Sequence, residues 1–220
     1  MKFDLSQAEE NYLKAIYSIG IDTGKSVNTN QIALMMKTKA SSVTDMVKKL
    51  SDKGLVEHKK YKGTILTRKG ESIAVNTLRS HRLWECFLVD TLQFNWDEVH
   101  DIAEQMEHIK SDSLVDRLDQ FLSFPSYDPH GDPIPDKNGV IKHHKNVMLS
   151  SVVAGDSCIV IGVKDSSSSF LKFLDNASIR LGNEIKVVTV EDFDQSMQIE
   201  IENKMITVSY QISKNLYVKK

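Results

Sequence analysis

All four prolines of this 220-residue chain fall between Pro125 and Pro135, in the stretch FPSYDPHGDPIPDKNG. A locked φ and a missing N–H at that density cannot continue a helix or a central strand. The chain must therefore change architecture here. Upstream, apolar residues recur mostly at helical spacing. Downstream, short β-rich runs dominate: Ser157–Val163, Glu184–Val190, Met197–Ile201 and Met205–Tyr210, with Ser166–Ser169 as a loop. Between them the polar stretch through His143 and His144 reads as linker.

Charge is divided as unevenly as pattern. Residues 1–75 carry a net +5, residues 76–145 a net −6 and residues 146–220 a net −1. A basic first third fits a polyanion partner, and an acidic middle third can hold cations. No apolar run approaches the roughly 20 residues that span a bilayer. The opening MKFDLSQAEENYLK lacks the apolar core of a secretion signal. Cys86 and Cys158 are far apart and form no CxxC, which fits a reducing compartment. A cytoplasmic protein with no membrane partner is expected.

Within the first third, Leu5, Ala8, Tyr12, Ala15, Ile16 and Ile19 predict a helix ended by Gly20 and IDTGK. A second helix is expected from an N-cap at Thr29, with Ile32, Ala33 and Met36 inward. A break at Lys37–Ala40 leads to a third, from about Ser41 to Asp52, with Val43, Met46, Val47 and Leu50 as its apolar face. Gly54 suits its C′ position. Leu55–Lys59 and Ile65–Thr67 then read as a hairpin, and a long helix resumes near Lys69.

Helix, helix, short turn, helix and hairpin is the order of a winged helix-turn-helix. The exposed face of the third helix carries Lys39, Ser41, Ser42, Thr44, Asp45, Lys48 and Lys49. Small hydroxyls at a helix start allow close approach to the major groove and can donate to phosphates. The hairpin tip supplies Lys59, Lys60 and Lys62 for backbone phosphates. Singly these residues could be ordinary solvated surface; their ordered combination points to double-stranded DNA.

The middle third holds His81 and Glu85 four residues apart, and His100, Glu104, Glu107 and His108 at i, i+4, i+7 and i+8. On a helix each set shares one face. Imidazole with carboxylate on one face suits a divalent cation. The same helices carry Leu83, Trp84, Phe87, Leu88, Val99, Ile102, Ala103, Met106 and Ile109, more apolar surface than a small DNA-binding domain needs. A second copy is one outlet for it, and a two-fold dimer suits a palindromic operator.

The stretches EENYLKAIY, SSVTDMVKKLSDKGLV, LTRKGE, HRLWECFL, EVHDIAEQMEH, SDSLVDRL and FPSYDPHGDPIP resemble the iron- and manganese-dependent repressors typified by the diphtheria toxin repressor and the manganese transport regulators. The resemblance covers about residues 5 to 135. It implies an α+β chain with a winged helix-turn-helix over 1–75 and metal-binding and dimerisation helices with a linker over 76–145. An SH3-like, FeoA-like barrel over 146–220 would follow, carried more weakly by FLDNASIRLGNEIKVV.

It further implies a homodimeric repressor that binds palindromic operator DNA and controls metal-homeostasis genes, with Mn²⁺ or Fe²⁺ at two sites per subunit. The primary site maps to Asn11, Glu104, Glu107 and His108. The first position is Met in iron-type members and Asp in a manganese type, so either Asn11 or neighbouring Glu10 would complete the set. Glu104 stands where iron-type members have Cys, which favours Mn²⁺ over thiophilic metals. A further manganese-type carboxylate would fall at Lys14, which argues against a binuclear site. The ancillary site maps to His81, Glu85 and His100, with Asp128 and His130 as additions from the proline-rich segment. A winged-helix regulator sensing a small molecule is the alternative. No HExxH or comparable hydrolase motif occurs, so an enzyme is not expected.

Overall fold

Residues 5–23, 26–59, 63–96, 98–141, 147–165 and 167–220 are described by the structure, a computed structural model. The chain divides into two compact units. The first comprises residues 1–81, 106–110 and 135–140; the second comprises 82–105, 111–134 and 141–220.

In the first unit, helix α1 (Gln7–Thr23) opens on a reciprocal cap. The Ser6 amide donates to Glu9 Oε2 at 2.8 Å, and the Glu9 amide donates to Ser6 Oγ at 3.4 Å. Ser-x-x-Glu satisfies donors that a helix start leaves open. The helix does not end at Gly20 but runs on to Thr23. Interior glycine costs only about 1 kcal/mol, and the buried Leu13 and Ile16 outweigh it. Helix α2 (Thr29–Met35) begins one residue away from the predicted cap: Asn28 caps it and Thr29 is its first residue. Gln31 returns the bond to the Asn28 amide, so the pair forms a capping box that Thr29 would not have made.

Helix α3 (Ala40–Asp52) buries Val43, Val47 and Leu50. Gly54 takes φ +68 after its C-terminus, as the C′ position demands. Strands β1 (Val56–Lys59) and β2 (Gly63–Leu66) pair antiparallel as the hairpin. Leu13, Ile16, Ile32, Val43, Val47, Leu50 and Leu55 form one core. Each fully buried aliphatic side chain there stabilises the fold by about 1.5–3 kcal/mol.

Helix α4 (Arg68–Cys86) follows and closes in a π turn over Phe87–Thr91. Helix α5 (Val99–Met106) precedes α6 (Asp112–Phe121), whose N-cap Ser111 accepts from the Leu114 amide. The tail of the second unit is a six-stranded antiparallel sheet in the order β3-β8-β4-β5-β6-β7. Its strands are β3 (Val147–Met148), β4 (Ser157–Val163), β5 (Glu184–Val190), β6 (Met197–Ile201), β7 (Lys204–Val208) and β8 (Leu216–Lys219). Helices α7 (Ser168–Asn176) and α8 (Tyr210–Ser213) interrupt it, so Ser168 and Ser169 open a helix rather than extend a loop. Cys158, Val160, Leu174, Ile185, Val187, Ile199 and Val208 fill its core, and the indole of Trp96 packs among them.

Candidate metal centres and DNA-binding face

Two buried clusters of ionisable groups stand out, one in each unit. In the first unit, α1 and the segment 106–110 supply the groups together. Lys14 Nζ donates to Glu107 Oε2 at 2.7 Å, and His81 Nδ1 lies 2.6 Å from the same oxygen. The Glu107 side chain has no exposed surface. His108 Nδ1 bonds Glu10 Oε2 at 2.6 Å, while its Nε2 lies 3.6 Å from Glu107 Oε1. Lys110 Nζ donates to the Leu5 carbonyl at 2.7 Å and fastens the segment to the start of α1.

These bonds leave a particular residue of polar atoms. Among the described residues, Asn11 Oδ1, Glu107 Oε1 and His108 Nε2 are buried side-chain atoms with no hydrogen-bond partner. All three can present a lone pair, and all three belong to the predicted primary set. Such atoms fit a hard or borderline divalent cation by chemistry: an amide oxygen, a carboxylate oxygen and an imidazole nitrogen. Glu10 is spent on the far nitrogen of His108. Glu104 belongs to the second unit, where its Oε1 lies 3.8 Å from His100 Nε2.

In the second unit, Glu85, Asp128 and His130 are all buried and each offers a ligand atom within 4.8 Å of the others. His130 Nδ1 faces Glu85 Oε1 at 3.6 Å, and His100 Nδ1 reaches the same oxygen at 3.4 Å. Burial and the nearby Glu85 and Asp132 carboxylates push Asp128 up to about 7, against the pull of Arg82 and His130. Burial disfavours the charged ring of His130. Even so, its contact with Glu85, helped by Asp128, raises it to about 9. Burial, with the nearby Asp128, Asp90 and Glu85 carboxylates, raises the Cys86 thiol far above its usual range.

Asp128 and His130, expected as additions from the proline-rich segment, are both buried beside Glu85. His81 sits in the first unit, against Glu107. Arg82 is a further residue of this site. It spans the proline-rich loop, with Nε 3.4 Å from Asp128 Oδ2 and Nη1 donating to the Pro133 carbonyl. An Arg beside the HRLWE histidine was the available signal.

The face of α3 is as expected: Lys39, Ser41, Ser42, Thr44, Asp45, Lys48 and Lys49 are all exposed. Lys49 also lies 3.3 Å from Glu9 Oε1 of α1. Lys59 ends β1, whereas Lys60 and Lys62 lie outside the described residues, as do His143 and His144.

Three family profiles cover most of the chain. They are the iron dependent repressor N-terminal DNA-binding domain (residues 4–64), the iron dependent repressor metal binding and dimerisation domain (67–136), and the FeoA domain (147–220). A solved manganese-dependent transcriptional repressor, in complex with manganese, superposes with a TM-score of 0.72 at 31% identity, over 96% of this chain and 98% of that one. The chain belongs to the iron-dependent repressor family.

Among curated relatives, the iron-dependent repressor IdeR of Mycobacterium leprae is 33% identical over 132 residues, 60% of this chain and 57% of that protein. A probable metal transport system membrane protein of Chlamydia trachomatis is 48% identical over 86 residues, 39% of this chain and 19% of its own length. This iron-dependent repressor homologue thus spans little more than half of the first relative and a fifth of the second. No helix among its described residues is long and apolar enough to cross a membrane.

Proposed function

We propose that this chain is a cytoplasmic, metal-activated transcriptional repressor. It binds palindromic operator DNA as a homodimer and controls metal-ion homeostasis genes. Its corepressor is Mn²⁺ or Fe²⁺, at two sites per subunit. The observation that carries this reading is the buried trio Asn11 Oδ1, Glu107 Oε1 and His108 Nε2, which no described group hydrogen-bonds. A buried polar atom left unpaired costs about 1–3 kcal/mol, so three together argue for a ligand.

In this reading Asn11, Glu107 and His108 hold the primary ion. Glu10 is an orienting group: it fixes the ring of His108 through Nδ1 and leaves Nε2 to ligate. Lys14 and His81 do the same for Glu107, gripping Oε2 and leaving Oε1 open. Oxygen and imidazole donors without thiolate favour Mn²⁺ over thiophilic metals. Glu85, Asp128 and His130 form the second site, with His100 beside them. A bound cation supplies positive charge that neutralises the buried carboxylates and fixes the spacing of its ligands.

The consequence for DNA runs through α1. Its residues Glu10 and Lys14 reach the 106–110 segment, and its Glu9 pairs with Lys49 and Lys53 at the end of α3. Fixing α1 thereby steadies the helix whose Ser41, Ser42, Thr44 and Lys48 face the major groove. Cation and DNA then favour each other equally, typically by about 1–3 kcal/mol. The dimer uses the apolar face of the second unit, where Leu92, Leu114, Phe121 and Phe124 are exposed. Domains over 1–75, 76–145 and 146–220 divide this work.

Glu107→Ala and His108→Ala test the assignment. Both variants should remain dimers by light scattering and lose Mn²⁺-dependent operator binding. An unchanged Mn²⁺ response in either would refute the primary site.

A further inference from the structure

The loop carrying Asp128 and His130 is seated on the barrel, and two glycines make the seat. The Val163 amide of β4 donates to the His130 carbonyl at 2.7 Å. The next loop residue, Gly131, adopts φ +86, and a Cβ there would meet Gly162 Cα at 2.2 Å. Conversely, a Cβ on Gly162 would meet Gly131 Cα at 2.3 Å. Real Cβ atoms do not approach backbone so closely, so neither position admits a side chain without movement. Gly162 also lies where the pairing of β4 with β8 shifts register. Bulges of this kind re-aim a strand next to functional sites.

The imidazole is held as firmly as the backbone. His130 Nε2 lies 3.1 Å from the Trp96 carbonyl, and the Trp96 indole is buried in the barrel core. With Nε2 committed as donor, Nδ1 is the nitrogen that faces Glu85. A ring N–H given to a backbone carbonyl is how ligating histidines are usually oriented.

We propose that Gly162 is a positioning residue for cation binding: strand β4, through the Gly162–Gly131 contact and the Val163–His130 hydrogen bond, sets the place of the His130 ring beside Glu85 and Asp128. The barrel is thus the jig of the second site, independently of any ligand it contributes. This rests on the reading that Glu85, Asp128 and His130 hold a divalent cation. The coupling is reciprocal, so a cation at the cluster tightens the seat on β4.

The test uses the full chain and Mn²⁺, titrated by calorimetry and by electron paramagnetic resonance of free Mn²⁺. Gly162→Ala adds a methyl at a residue without positive φ, so it strains the loop contact alone. The variant should keep the barrel's cooperative unfolding and the primary-site affinity. The equivalent that Glu85→Ala abolishes should weaken by roughly 10–100-fold. Wild-type affinity at both sites in folded Gly162→Ala overturns the proposal. Retention of both equivalents in Glu85→Ala overturns instead the reading that the cluster binds metal. A third measurement needs no variant: Mn²⁺ should slow hydrogen exchange of the Val163 amide in the wild-type protein. Unchanged exchange there on full loading also contradicts the proposal.

Discussion

Glu107 is a carboxylate with no exposed side-chain surface, held on one oxygen by Lys14 and His81. Removing one partner of a buried ion pair is costly, about 3–5 kcal/mol in well-isolated cases. Lys14→Met should therefore lower the melting temperature of the metal-free protein and enlarge the stabilisation that Mn²⁺ gives. Calorimetry with and without Mn²⁺ checks this, and an unchanged metal-free melting point would contradict it. Glu9 gives the pH counterpart. Burial pushes its carboxyl up, but bonds from Lys53, the Ser6 amide and Lys49 prevail and hold it at about 2, below the ordinary 4.5. A depressed carboxyl contributes stability above its unfolded value, and that stability is lost as pH falls through the folded one. Glu9→Gln should flatten the decline of melting temperature between about pH 5 and pH 2; a wild-type slope would count against the pair. At this scale the sequence was legible where ligand types recur within one helix, as in His100 and Glu104 on α5. That helix ends at Met106, so Glu107 and His108 lie in the turn beyond it and not on its face, contrary to the helical-spacing expectation. The sequence was illegible where burial comes from contacts distant in the chain. Nothing periodic marks Asp128 or His130, yet Glu85 and Arg82 bury them in a loop.

Elements were read well where one face decides them. Val43, Val47 and Leu50 fixed α3, and the β-rich runs Ser157–Val163 and Glu184–Val190 match β4 and β5 at both limits. Ends were read less well, because several residues can cap. Asn28 and Thr29 are both good caps, and only the reach of Gln31 back to the Asn28 amide decides between them. Asn28→Ala should destabilise the protein by about 1 kcal/mol and leave Mn²⁺ stoichiometry unchanged, as chemical denaturation and titration would report. The π turn after α4 and the positive φ of Ser123 and Phe124 have no sequence signature that propensity could reveal. They nonetheless shape the apolar face: Phe87 and Phe121 meet edge to face at 6.0 Å, and Phe124 is left exposed. Phe121→Glu should yield monomers by light scattering; a dimer of wild-type affinity would place the interface elsewhere.

At the scale of the whole molecule, the proline cluster and the change of periodicity across it anticipated helices first and a β-rich end. They did not reveal that residues 106–110 and 135–140 group with the first unit. That return depends on partners such as Glu10 with His108 and Lys14 with Glu107, roughly a hundred positions apart. It matters because it puts two of the proposed ligands, Glu107 and His108, in the same unit as α3, the helix proposed to face DNA. The most direct test of metal activation is fluorescence anisotropy of a DNA fragment from the gene's own upstream region, at fixed salt, in EDTA and then with Mn²⁺, anaerobic Fe²⁺ or Zn²⁺. Binding should appear only with metal, strongest with Mn²⁺ or Fe²⁺. Equal affinity in EDTA and in Mn²⁺ would contradict the account.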